Sequence, residues 1–305
     1  MSQNTKKSPY FLHLKTTTVQ LKKENMKESS TAITSILFLL SLCCLTFISG
    51  CHSTATSVSK KESIPKGLFE NIIHIDPTPV YTWQPKNPSS NTSIRIYIEG
   101  DGKAWVKRGR PSLDPTPELR LVNQLMSEDA KADIAYIARP CQYVKSPYCK
   151  IPVWTFDRYN RATVHLLNQA VDHIKQAGHY QQIELVGYSG GATIALLIAA
   201  QRTDIKSIRT VAGNLSPHYS NKLHNVSPMD SALSPKDFIS KLKGIPQMHF
   251  YGTQDPVITE GVIMDYVSQF PDNPCIKTKA LDASHQKGWK EKWKNLLEQI
   301  PDSCP

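Results

Sequence analysis

The segment Gln182 to Ala200 reads QIELVGYSGGATIALLIAA, and its two halves follow different rules. Gln182-Ile-Glu-Leu-Val186 is short, apolar-rich and bounded by glycine, which reads as a strand. Gly191 to Ala200 is apolar on every side and carries no charge, so it reads as a helix buried all round. Between them lies Gly187-Tyr188-Ser189-Gly190-Gly191, a G-x-S-x-G turn with a strand before it and a helix after it. Such a turn is tight enough to strain the serine backbone. Small residues two positions to either side, here Gly187 and Gly191, avoid collisions across it. The hydroxyl of Ser189 is then lifted above the sheet, over the free N–H groups of the helix N-terminus. The simpler reading is a glycine-rich turn in which Ser189 caps the helix.

Working outward, short β-rich runs alternate with helical ones. Strands are expected at 94–99, 133–138, 182–186, 207–212, 247–251 and 275–281. Helices are expected at 160–177, 191–200, 235–243 and 290–300. Leu167, Ala170, Val171 and Ile174 mark one face of the first, and Trp293, Leu296, Leu297 and Ile300 one face of the last. This order predicts an α/β fold: a mostly parallel sheet with helices on both faces. Such sheets place their sites beyond the carboxyl ends of the strands. No Pro- or Gly-rich break divides residues 67–305, so one domain is expected there.

With this elbow in this context, the chain resembles the α/β-hydrolase family over about residues 75–300. In that family the nucleophile is followed by an Asp or Glu and then a His. The resemblance implies Ser189 as nucleophile, Asp255 in Tyr251-Gly-Thr-Gln-Asp-Pro256 as the orienting acid, and His285 in Asp282-Ala-Ser-His285 as the base. Both partners fall just past expected strands. His165 and His173 lie on a helix, His249 lies inside a strand, and His218 and His224 precede the acid. Asp265 and Asp282 do not directly follow a strand end. Glu99-Gly100-Asp101-Gly102 resembles the family's H-G-x-G loop, with Glu99 where His is common. It implies an oxyanion hole from the backbone N–H groups of Gly190 and either Asp101, the first choice, or Gly102. A carboxylate there would repel an oxyanion, so the side chain of Asp101 is expected to point away. The implied chemistry is acyl transfer to water through an acyl-enzyme, with no cofactor and no metal.

The chain has 305 residues, a formal charge of +10 and seven cysteines, and its first fifty residues distort all three figures. Residues 1–30 are polar and basic, and Ala32 to Ile48 is an apolar run. Seventeen residues is short for a membrane span. A basic region, an apolar run and then small residues make an export signal. Ile48-Ser49-Gly50-Cys51 resembles the bacterial lipoprotein box, in which the peptide is cut before the cysteine and the cysteine carries lipid. The alternatives are an uncleaved anchor helix or a chance cysteine after an ordinary signal. The implied organisation is a signal peptide over 1–50, with Met26 as a second possible start. A lipid-anchored tether over 51–66 and a catalytic domain over 67–305 follow. Removal of residues 1–50 leaves 255 residues at +6. By analogy with Gram-negative lipoproteins, His52 in place of Asp favours the outer membrane, with the domain in the periplasm.

Four cysteines then remain, Cys141, Cys149, Cys275 and Cys304. Two disulfides suit an exported protein, and three pairings are possible. The economical one is Cys141–Cys149 with Cys275–Cys304. The spacings lack the close Cys/His pairs of a zinc site. Lys287, Lys290, Lys292 and Lys294 form a basic cluster, but on a helix with Glu291 they read as a solvated face, and no nucleic-acid partner is expected. The expected substrate is a small ester-like molecule. Peptide, thioester and amide bonds remain as alternatives on the same fold, as does a non-catalytic, lipid-anchored binding protein. Ser216–Pro246 falls where family members carry a cap and is expected to shape the acyl pocket. Oligomeric state is not legible.

Overall fold

The computed structural model describes residues 64–75, 78–300 and 304. The expected signal peptide, Cys51 and nearly all of the expected tether lie outside them. The sheet is built from β1 (Leu68–Ile75), β2 (Thr78–Pro85), β3 (Ser93–Ile98), β6 (Ile134–Ile137), β7 (Gln182–Tyr188), β8 (Ile205–Val211), β9 (Gln247–Gly252) and β10 (Ile276–Leu281). Their spatial order is β1-β2-β6-β3-β7-β8-β9-β10. β2 runs antiparallel to both neighbours, and every other pairing is parallel. A separate hairpin, β4 (Trp105–Lys107) with β5 (Arg110–Pro111), leaves the end of β3.

Helices cover both faces, as a parallel sheet requires. They are α1 (Leu121–Ser127), α2 (Ile151–Trp154), α3 (Arg161–Ala177), α4 (Gly190–Ala199), α5 (Pro217–Leu223), α6 (Ile239–Leu242), α7 (Glu260–Val267) and α8 (Lys290–Leu297). One core joins Ile94, Ile96 and Ile98 of β3 to α3, α4 and α7. On the other face Tyr97 packs with Leu125 of α1 and Trp293 of α8. Asn160 accepts a hydrogen bond from the Thr163 N–H at 2.8 Å and so starts α3. Every residue of α4 is buried, in keeping with its uncharged sequence. β10 ends the sheet, with Lys277 and Lys279 exposed on it.

The expected strands and three of the four expected helices are present, with ends shifted by a few residues. The expected helix at 235–243 is instead a 3₁₀ turn, Pro235–Phe238, running into the short α6. The antiparallel start of the sheet, β1 and β2, the β4–β5 hairpin and the helices α1, α2, α5 and α7 lie outside the expected elements. Cys141 is bonded to Cys149, and Cys275 to Cys304.

Candidate active site

β7 delivers the chain into α4 through Ser189, whose φ of 50° and ψ of −120° are costly for a residue with a β-carbon. The glycines around it are sterically required. A Cβ on Gly187 would lie 2.5 Å from Ala192 Cα, and one on Gly191 would lie 2.3 Å from the Ile98 carbonyl oxygen. Ser189 stands at the N-cap position of α4 but makes no side-chain cap bond. Its hydroxyl instead lies 3.1 Å from Nε2 of His285.

His285 follows β10 and Asp255 follows β9, and the two loops are joined. The Thr253 N–H bonds the Leu281 carbonyl at 2.8 Å, and the Gln254 N–H bonds that of Ala283 at 3.0 Å. Gly252 allows this approach, since a Cβ there would lie 2.2 Å from the Ala283 oxygen. Nδ1 of His285 lies 2.8 Å from Oδ2 of Asp255. Oδ1 accepts from the N–H groups of Val257 and Ile258 at 2.8 and 2.9 Å. The carboxylate is thus buried, held in place and aimed at the ring. A proton on Nδ1 then leaves Nε2 as the acceptor for the serine hydroxyl. The Tyr188 hydroxyl donates to the His285 carbonyl at 3.2 Å. Burial, with the negative charges of Glu99 and Asp255, pushes the Tyr188 phenol far up, so it stays protonated to donate.

The loop leaving β3 lies beside the serine. A Cβ on Gly100 would lie 3.3 Å from Ser189 Cβ. The N–H of Gly100 is taken by the Glu99 carboxylate at 2.9 Å. Among the described residues, the backbone N–H groups of Asp101, Gly102 and Gly190 have no protein acceptor. Contrary to expectation, the carboxylate of Asp101 stays beside the turn. A Cβ on Gly190 would lie 2.1 Å from its Oδ1. Its charge is countered in place: Arg139 Nη1 bonds Oδ1 at 3.0 Å, Arg158 Nε lies 3.0 Å from Oδ2, and the Tyr159 hydroxyl donates to Oδ2 at 2.8 Å. Burial works most strongly against the Arg158 charge, but Asp101 and Tyr159 together outweigh it and hold the guanidinium protonated. The sequence reading missed these three partners, because nothing local marks residues 38 to 58 positions away from Asp101.

Ser189 and His285 open into a cleft of about 600 Å³. Its other walls include Trp105, Leu119, Arg158 and Val257. No residue of 216–246 is among them, so the expected cap does not shape this cleft. That segment packs aside: Ala232 pairs with Asn160, and the Leu233 N–H bonds the Tyr159 carbonyl at 3.0 Å. The loop between β3 and α1 takes its place. The remaining acid candidates are engaged elsewhere. Asp265 accepts from Ser216 and Lys236, and Asp282 from Gln254. His249 is buried in the sheet.

No curated protein matches the sequence. Several solved structures share the fold. Est1E from Butyrivibrio proteoclasticus, solved with ferulic acid bound, superposes with a TM-score of 0.54 at 16% identity, over 74% of this chain and 97% of that one. An alpha-beta serine hydrolase homologue from Coxiella burnetii gives 0.52 at 15%, over 77% and 97%. An esterase of Pyrococcus furiosus gives 0.53 at 14%, over 75% and 90%. The family described as Serine hydrolase (FSH1) matches residues 119–285, more than half of the chain and a span that holds Ser189, Asp255 and His285. The chain therefore belongs to the FSH1 serine hydrolase family and is an enzyme of the α/β-hydrolase fold.

Proposed function

We propose that this serine hydrolase cleaves small carboxylic esters through an acyl-enzyme, with Ser189 as nucleophile, His285 as general base and Asp255 as its orienting acid. One observation carries the reading: the unbroken chain from Ser189 Oγ to His285 Nε2 at 3.1 Å and from Nδ1 to Asp255 at 2.8 Å, beneath a strained elbow. His285 takes the serine proton as Oγ attacks the ester carbonyl. The N–H groups of Gly190 and Asp101 receive the oxyanion. The protonated ring then gives its proton to the leaving alcohol, and water repeats the sequence on the acyl-enzyme to release the acid. Arg139 and Arg158 cancel the carboxylate of Asp101, so that its backbone can serve an oxyanion while its side chain does not oppose one.

The proposal extends to cellular setting. Residues 1–50 are removed, Cys51 carries lipid, 51–66 tethers the domain of 67–305, and that domain works in the periplasm at the outer membrane. A fluorophosphonate probe tests the chemistry. Ser189 is expected to be labelled in the folded protein, and Ser189→Ala to lose both label and turnover while melting within about 2 °C of wild type. An unlabelled wild type, or an active Ala variant, refutes the reading. Panels of graded esters, thioesters and peptides read out the acyl and leaving groups.

A further inference from the structure

The chain after β6, Arg139-Pro-Cys-Gln-Tyr143, reaches back to the loop after β3. Gln142 is fully buried. Its Nε2 donates to the Gly100 carbonyl at 3.1 Å, and its Oε1 accepts from the Arg139 N–H at 2.9 Å. The carbonyl of Gly100 and the N–H of Asp101 belong to one planar peptide unit and point in opposite directions. To hold that oxygen is to aim that N–H. Gly102 closes the same grip: its φ is +62°, and a Cβ there would lie 2.6 Å from Gln142 Nε2 and 2.1 Å from the Pro115 oxygen.

Gln142 is itself held from both sides. Cys141 and Tyr143 adopt left-handed backbone conformations, with φ of 69° and 62°, which non-glycine residues keep only when their surroundings enforce them. Cys141 is bonded to Cys149. The Tyr143 N–H bonds Thr116 Oγ1 at 2.8 Å. The side chain at 142 must offer one donor and one acceptor at this reach, which glutamine does and an apolar side chain does not.

We infer that Gln142 is the positioning residue that aims the Asp101 N–H at the reacting carbonyl, and that the Cys141–Cys149 bridge holds Gln142 in place. This rests on the reading of Ser189 as nucleophile and Asp101 as an oxyanion donor. It also favours Asp101 over Gly102 as that donor, because the Asp101 N–H is the one fixed through its own peptide plane.

The test uses the full chain and a water-soluble nitrophenyl ester. Gln142→Met keeps much of the side-chain length and removes both the donor to Gly100 and the acceptor for Arg139, and Gln142→Leu removes both with a shorter side chain. Both are expected to lose roughly 10- to 100-fold in kcat, with KM within about twofold of wild type, as a misdirected oxyanion donor requires. A merely structural role would move KM or the amount of folded enzyme, not kcat alone. The paired variant Cys141→Ser/Cys149→Ser should shift kcat in the same direction with KM held. Wild-type kcat in a folded Gln142→Met enzyme overturns the inference, and so does a loss carried by KM. If the Gln142 variants do not fold, the bridge variant decides, and wild-type kcat there overturns it. Fluorophosphonate labelling of the wild type separates the two levels. A labelled, active wild type with unimpaired variants sinks only the role of Gln142. An unlabelled wild type sinks the nucleophile and this inference together.

Discussion

At Ser189 the backbone is held where a side chain is unwelcome, and the neighbouring glycines let the rest of the turn tolerate it. A Cβ on Gly191 would be driven against the carbonyls of Ile98 and Glu99, at 2.3 and 2.6 Å, and these main-chain atoms at the end of β3 cannot swing aside. Gly191→Ala should therefore lose about 3 kcal/mol or fail to fold, by the overpacking cost of a rigid site. Gly244, with nothing within 4 Å of the same added atom, supplies the contrast. Gly244→Ala should stay within about 0.5 kcal/mol. Urea unfolding of both variants checks this, and similar midpoints would remove steric closure as the reason for the motif. The same scale explains what was legible. Ser189, Asp255 and His285, the residues the resemblance implies, each sit next to a strand end that the sequence marks, and the structure brings them together. Arg139, Tyr159 and Gln142 act on the loop after β3 from 38, 58 and 42 residues away, and no local pattern encodes such pairings.

Among the elements, β2 shows why the antiparallel start of the sheet was missed. Thr78–Pro85 carries Pro79 and Pro85, and prolines argue against an inner strand. The structure accommodates them at the second and last positions, where β2 pairs in full register only with β1 and touches β6 through Thr82 and Trp83. β8, β9 and α7 share a different feature, the buried His249. Its ring lies between Thr210 Oγ1 at 2.9 Å and Gln247 Oε1 at 3.1 Å. Burial alone pulls its pKa from 6.5 down to about 3. Because the folded value lies below the unfolded one, the unfolded chain takes up this proton first as the pH falls. The stability present above about pH 6.5 is therefore lost progressively toward pH 3, at up to about 1.4 kcal/mol per pH unit. His249→Gln should flatten the acid side of the stability profile by one proton over that window. Parallel wild-type and variant profiles from urea unfolding at pH 4 to 7 would exclude His249 as the source.

For the whole molecule, the consequential proposal concerns Cys51, because it decides which protein operates: a chain of 305 residues at +10, or a lipid-bearing one of 255 at +6. Metabolic labelling with an alkyne-bearing fatty acid should mark the wild type and leave Cys51→Ser unmarked, and an unmarked wild type would end the lipoprotein reading. Part of the remaining positive charge is already engaged. Lys292 donates to the carbonyls of Asp282 and Gly288, and Lys290 lies 3.7 Å from Glu128. The outer strand puts two more lysines to a different use. Among the described residues no strand pairs with the outer side of β10, and such an edge invites another chain to add a strand. Lys277 and Lys279 stand exposed on it, with Lys279 bonded to Gln299 Oε1 at 2.9 Å. Two edges of this kind would meet charge against like charge. If Cys51 carries lipid as proposed, neighbours in the bilayer plane would collide far more often than in solution, and that repulsion would guard against sheet-to-sheet aggregation.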